Sequence, residues 1–250
     1  MKAGKVNKAT SSNTNISADV GAFASNIVDN DSLKVFSVTT DNSTITVILD
    51  DAIVFEGVAF FNVLFEDDLI LRTYDTGAGL IETKTFTASD VSGFQFQNLI
   101  YEPTSTTLVK TIEIEFDGTS TDFENVLGYF WIGDWIDFNC LETFQAKDTS
   151  NDSVTVTKVN GVQFQSEYKF QGYNVTTNKK VEFSTLRANM RTIFLDGYAN
   201  KRPFFFDVEP QIGGEVLLGI LDAPTAQYDN FDIDDNYEKA QTTIGIREVT

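Results

Sequence analysis

The groups in this chain that could do chemistry are carboxylates. Asp and Glu number 37 against 18 Lys and Arg, while histidine is absent and Cys140 is the one cysteine. Without imidazole there is no Ser-His-Asp relay, no histidine general acid or base, and no His-ligated zinc or iron. A lone thiol supports neither a disulfide framework nor a thiolate metal cluster. Two kinds of carboxylate chemistry remain. Paired acids about 5–10 Å apart in a cleft can cleave a glycosidic bond, and carboxylates clustered with amide oxygens can hold Ca²⁺. Asp29-Asn30-Asp31 is one dense cluster, yet calcium takes about six to eight oxygens and Asx side chains in turns bond their own backbone. Asp229, Asp232, Asp234 and Asp235 form another, without the register or closing glutamate of a calcium loop. They read as a solvated acidic loop within 222–239. Spacing brings no two acids together, so the expectation is a non-enzymatic protein with no catalytic residue, no metal and no cofactor.

Charge and composition narrow the partners. The formal charge is −19, and Lys2, Lys5 and Lys8 place +3 in the first eight residues, leaving −22 on the remainder. A body so acidic repels phosphates and shows no basic stripe, so nucleic acid is not an expected ligand. Gly77 and Gly79 in TGAGL precede no GK[ST] and no helix, which excludes a phosphate loop. The N-terminus has no hydrophobic signal core, and no apolar run approaches the roughly 18–20 residues of a membrane span. A chain made in the cytoplasm, with no signal peptide and no membrane insertion, is the expectation.

These side chains must be positioned by strands. Twenty-two Phe with four Pro and two Met indicate packed sheets rather than helical bundles. Ser43–Leu49 alternates polar and apolar residues, as a half-buried strand does, with Asp50-Asp51 as its turn. Val54–Phe65 is nearly continuous in apolar residues and fits a central strand covered on both faces. Further short strands at Leu69–Tyr74, Thr83–Phe86, Gly93–Leu99 and Thr107–Phe116 complete an all-β sandwich or barrel. Asn125–Phe138 (NVLGYFWIGDWIDF) follows and holds both tryptophans. Rings that each bury about 150–250 Å² are costly to leave wet, so Trp131, Trp135, Phe130 and Phe138 are expected to form the seam between two halves. After it come more strands and one amphipathic helix near 179–195, with Leu186, Met190, Ile193 and Phe194 at helical spacing. The expected organisation is a flexible arm over 1–17, a sandwich over 18–137, and a β-rich module over 138–250.

Residues Ala24-Ser25-Asn26-Ile27-Val28-Asp29 and Phe55-Glu56-Gly57-Val58-Ala59-Phe60-Phe61-Asn62 carry a resemblance to the galactose-binding-like, discoidin-type jelly roll. TIEIEF followed by NVLGYFWIGDWIDF is similar to the closing strands of versions found on bacteriophage tails. In the second half, a helix before KRPFFFD resembles modules of phage tail-tip proteins. The resemblance implies a virion structural protein of a tailed bacteriophage, at the tail tip, baseplate or fibre attachment region. Its partners would be other tail proteins and copies of itself, in a ring or trimer. The alternative it implies is a carbohydrate-binding module for a cell-surface polysaccharide, with Tyr74 and Tyr101 as candidate loop aromatics stacking on sugar faces. Each of these tyrosines also reads as a packing residue.

Overall fold

The computed structural model describes residues 2–4, 7–21, 23–29, 34–39, 42–87, 97–118 and 124–137, and beyond these the backbone of the strands between 145 and 248. The chain divides into two bodies, Val6–Trp135 and Met1–Lys5 with Ile136–Thr250. It therefore starts in one body with β1 (Lys2–Gly4), builds the other, and returns.

The body of Val6–Trp135 is a two-sheet antiparallel sandwich. Its strands are β2 (Thr14–Ala18), β3 (Phe36–Val38), β4 (Ser43–Ile53), β5 (Gly57–Leu64), β6 (Asp68–Tyr74), β7 (Leu80–Thr87), β8 (Gln97–Tyr101), β9 (Val109–Asp117) and β10 (Asn125–Gly133), with a 3-10 turn at Ala24–Val28. One sheet has the order β2-β4-β9-β6-β7 and the other β3-β10-β5-β8. The period-2 alternation decides what faces inward. Ile45, Val47 and Leu49 of β4, Ile112, Ile114 and Phe116 of β9, and Leu69 and Leu71 of β6 enter one buried cluster with Val58, Phe60, Leu127, Phe130 and Ile132 of the facing sheet. The Phe60 ring lies 5.5 Å from Phe130 and meets Phe86 edge-on at 5.8 Å, tying β7 to the opposite layer.

β5 and β10 are the central strands of their sheet and are buried at nearly every position on both faces. That is why their sequences are continuous apolar runs rather than alternating ones. Phe130 points into the sandwich's own core, whereas Phe61 and Tyr129, with centroids 6.1 Å apart, and Trp131, 1% exposed, occupy the opposite face of the sheet. Asn62 adopts a left-handed backbone (φ 52°) where the pairing of β5 with β8 shifts register between Phe60 and Val63. Gly128 faces this bulge: a Cβ there would come within 2.8 Å of the Asn62 Cβ. A bulge kinks the strand towards its neighbour, and only a residue without a Cβ fits beside it.

The polar stretch before β2 is built into the sandwich from Asn7 onward. β3 pairs only with Asn125–Leu127, so the far half of β10 has an open edge. Asn7 and Lys8 fill it. The Asn7 amide donates to the Phe130 carbonyl (2.8 Å) and accepts from the Ile132 N–H (3.0 Å), and the Lys8 N–H donates to the Ile132 carbonyl (2.7 Å). Ala9 is then fully buried in the core.

The other body is described by its backbone. β1 pairs antiparallel with Phe204–Asp207, and the sheet it joins runs on through Val216–Leu221, Tyr237–Glu248, Gly172–Thr176 and Gln145–Asp148. Asn151–Val159 and Val162–Phe170 form a separate hairpin. The acidic stretch expected as a loop within 222–239 is instead largely strand: Gln227–Asp234 pairs with Tyr237–Glu248 across a register shift. Carboxylates that alternate with Tyr228, Phe231 and Ile233 suit a strand as well as a solvated loop, and composition had masked that period. Of the helix expected over 179–195, Val181–Glu182 form a strand against Lys239–Ala240, and the rest lies outside the described residues, as does Phe138.

Candidate functional site

Tyr74 and Tyr101 are the last residues of β6 and β8, and the structure does not bring them onto one surface. Tyr74 lies on the outer face of the five-stranded sheet, since Leu69, Leu71 and Thr73 are the buried positions of β6. It opposes Thr111 of β9. Its hydroxyl donates to the Glu113 carboxylate, and one step along the sheet the Arg72 guanidinium pairs with Glu115. The bond to Glu113 together with burial holds the Tyr74 phenol above its ordinary pKa, and the bond to Glu115 does the same for Arg72. This is a closed ladder of charge-assisted contacts across β6 and β9.

Tyr101 turns the other way and packs against the core cluster. It is joined to Glu82 of β7, so a tyrosine on one sheet and a carboxylate on the other close the sandwich at its edge strands. Glu82 also accepts from the Thr104 hydroxyl (2.7 Å) and N–H (3.2 Å) in the loop that follows β8. Burial alone would raise the Glu82 pKa; bonds from Tyr101, Thr104 and Ser105 outweigh it and hold the carboxyl below its usual value. Burial and the bond to Glu82 push the Tyr101 phenol well above the ordinary tyrosine range. Both tyrosines thus have their hydroxyls committed to carboxylates.

Among the described residues, an open cleft lies elsewhere, between the N-terminal segment and the end of β4. It encloses about 320 Å³ and is lined by Asn7, Lys8, Asn13, Asp50 and Asp51 over the apolar side of Ile53. Two local features make it. Alternation in β4 breaks after Leu49, where the pairing with β9 shifts register between Ile48 and Ile53, so Asp50 and Asp51 continue the strand instead of turning it. On the other side, Asn13 closes a tight loop: its side-chain oxygen accepts from the Thr10 N–H (2.7 Å) and its amide donates to the Lys8 carbonyl (2.8 Å).

The groups in the cleft differ in what they have left to give. Asn7 is fully used, by Phe130, Ile132, Ala9 and Tyr129. Lys8 donates to the Val54 carbonyl and to Asp134, each at 2.6 Å, which leaves one of three ammonium hydrogens. Asn13 keeps one amide hydrogen. Asp50 uses only its backbone, donating to Asn13 and accepting from Lys110 (2.9 Å). Among the described residues neither the Asp50 nor the Asp51 carboxylate has a partner, and both residues are exposed. The rim therefore offers free acceptors and a few free donors around an apolar patch. Sequence reading assigned its parts to an arm and a turn. The one available signal was the lost alternation in LDDAI after STITVI.

No protein-family model matches the sequence, and no curated protein matches it. Similar solved structures include the family 32 carbohydrate-binding module of C. perfringens NanJ in complex with galactose, at 13% identity and a TM-score of 0.42 over 54% of this chain and 99% of that one. A Streptococcus pneumoniae fucose-binding module is 14% identical, with a TM-score of 0.41 over 52% of this chain and 95% of that one. The lectin domain of lectinolysin complexed with Lewis b antigen is 12% identical, with a TM-score of 0.40 over 48% and 92% of the two chains. The two-sheet sandwich itself stands on the strand order and registers given above.

Proposed function

We propose that the sandwich of Val6–Trp135 is a non-catalytic glycan-binding module and that the cleft beside Asp50 and Asp51 is its site. Jelly-roll sandwiches host many functions, so the site has to carry the reading. The observation that carries it is the set of unspent groups. Sugars present hydroxyls that both donate and accept, on rings with one apolar face. Two unpartnered carboxylates, a residual Lys8 hydrogen, a residual Asn13 hydrogen and the side of Ile53 complement such a ligand. The cleft is at the small end of the about 300–1,000 Å³ typical of small-ligand sites, which suits one sugar unit rather than an extended chain. Binding by hydrogen bonds to partly exposed groups is weak per site, and repeated copies would raise avidity.

The structural reading, a bacteriophage virion component with tail proteins as partners, rests on the resemblance of the segments around TIEIEF and KRPFFFD. It is compatible with glycan binding, since a tail module that recognises surface polysaccharide would serve attachment. No described feature favours assembly alone. The test is light scattering on size-separated protein, followed by a glycan array on the same fractions. A reproducible glycan signal that disappears in Asp51→Arg, which fills and recharges the cleft, is the expected result. No signal for any glycan would overturn the binding reading, and a signal unchanged in Asp51→Arg would move the site elsewhere. Tyr74→Phe should leave binding unaltered.

A further inference from the structure

We infer that Phe23 is a stacking platform for the apolar face of a neutral sugar ring, a second contact point of the module on a loop of its own. The inference shares the glycan reading of the sandwich and uses none of the residues that line the cleft. Phe23 follows β2 and opens the 3-10 turn at Ala24–Val28. Among the described residues it is the most exposed large apolar side chain, at 74%, and Val20, three residues earlier, is exposed as well. Its backbone is left-handed (φ 63°, ψ 39°), an outlier for a bulky residue and a conformation that Gly or Asn takes readily. The core does not need the ring there: Phe36 and Phe116 enter the buried cluster and Phe23 does not. The loop is fastened nonetheless. The Phe23 carbonyl accepts the Asn26 N–H (2.9 Å), and the Asp19 carboxylate accepts the N–H groups of Val20 (2.7 Å) and Thr44 (2.8 Å). Gly21 is pressed so near the Phe36 ring that a Cβ would come within 2.8 Å of it. A strained backbone thus holds an apolar ring out in water on a fixed loop. Strain of this kind persists only where the surrounding structure enforces it, and it gathers at ligand clamps.

Size and charge select the occupant. The exposed ring offers on the order of 150 Å², far below the roughly 800 Å² per partner of a standard protein interface. The sandwich's other exposed apolar residues do not enlarge it. Ile48 and Leu80 lie on one cross-strand row with Thr111 and Tyr74, and Val54 and Leu108 lie beyond that row, whereas Phe23 follows the end of β2 that pairs at Ile45. Asp29 is paired with Lys34 at 2.7 Å, and the Asp19 carboxylate is held by backbone amides, so nothing at the tip asks for a charged ligand. What the following turn leaves open is neutral: the exposed Ser25 hydroxyl and the Asn26 amide oxygen, neither of which has a partner among the described residues. A pyranose suits both features, with C–H groups for the ring and hydroxyls for Ser25 and Asn26.

The test is NMR titration of the full chain with methyl β-galactoside and methyl β-glucoside, read separately at the amides of residues 23–26 and of residues 50–53. Shifts are expected at 23–26. In Phe23→Asn the affinity read there should fall roughly threefold to tenfold, while the melting temperature rises because Asn accepts the left-handed backbone. Phe23→Tyr keeps the ring and should bind as the native chain does. No shift at 23–26, unchanged affinity in Phe23→Asn, equal loss in Phe23→Tyr, or a lower melting temperature in Phe23→Asn would each overturn the platform. Shifts confined to 50–53 would do so and leave the cleft reading standing; shifts confined to 23–26 would do the reverse. Because Phe23 lies outside the core cluster, both variants should fold.

Discussion

Glu82 shows how much one side chain can hold at an exposed edge. Its carboxylate receives Tyr101 from the facing sheet and Thr104 and Ser105 from the loop after β8. Because these bonds lower its pKa in the folded state, it binds fewer protons folded than unfolded near pH 4. Its contribution is complete above the unfolded value of about 4.5 and is lost as pH falls through the lower folded value. Stability should therefore drop on acidification, and Glu82→Gln should lose stability at neutral pH yet show a shallower fall between about pH 5 and 3. Thermal melts across that range measure both. Equal slopes in the two proteins would exclude Glu82 as the source. Gly57 offers a second test, since a Cβ there would sit 2.1 Å from the Trp135 ring. Gly57→Ala should displace that indole, cost about 1–3 kcal/mol by overpacking and shift tryptophan emission. Trp131, 1% exposed, supplies the unchanged component.

Among elements, β10 governs the sandwich, because it is paired along one side by β5 and along the other by two different segments in succession. β3 covers its first part and Asn7–Lys8 its last. Asn7 satisfies a carbonyl and an N–H of β10 that would otherwise lie unpaired, and such groups are expensive to leave so. Asn7→Ala should lower stability by about 2–4 kcal/mol, read as a shift in urea midpoint at constant slope. Hydrogen exchange should localise the loss to residues 7–10 and 129–133. Loss spread evenly over the sandwich would show that the segment is not the edge cover we describe. The same segment forms one wall of the cleft, so Asn7→Ala should also weaken ligand binding, whereas an edge strand on the far side of the sheet has no such link.

For the whole molecule, chain connectivity makes the sandwich an insertion. Residues 1–5 belong with 136–250, and β1 adds a strand to that sheet beside Phe204–Asp207. The start of the chain is thus a structural part of a body whose other residues follow far later. Deleting residues 1–5 should reduce exchange protection at 204–207 and leave protection of β4, β5 and β9 unchanged, as hydrogen exchange with mass spectrometry would report. If protection fell in the sandwich strands and not at 204–207, the division of the chain would be wrong. The sandwich has its own hydrophobic cluster, the usual condition for independent stability.

The sequence by itself determined the all-β class and the sandwich strands from Ser43 onward, whereas β2 and β3 were not read as strands. Alternation in STITVIL and TIEIEF and unbroken apolar runs in β5 and β10 are local patterns, and burial on one or two faces follows directly from them. It also determined the absence of histidine chemistry, which is a matter of composition. What only the tertiary structure decided depends on pairs far apart in the chain. Asn7 meets Ile132, Lys8 meets Asp134, and Glu82 meets Thr104. No periodicity announces such partners, because a polar residue in a polar stretch looks alike whether it is solvated or caps an open strand edge. Tyr74 and Tyr101 illustrate the converse. Their strand-end positions were legible, but which sheet face each took depended on where the period-2 register placed it, and that put them on different surfaces. The cleft arises where a register shift in β4 meets a segment 40 residues earlier held by β10, so neither of its walls could be recognised as one until the sheets were in place.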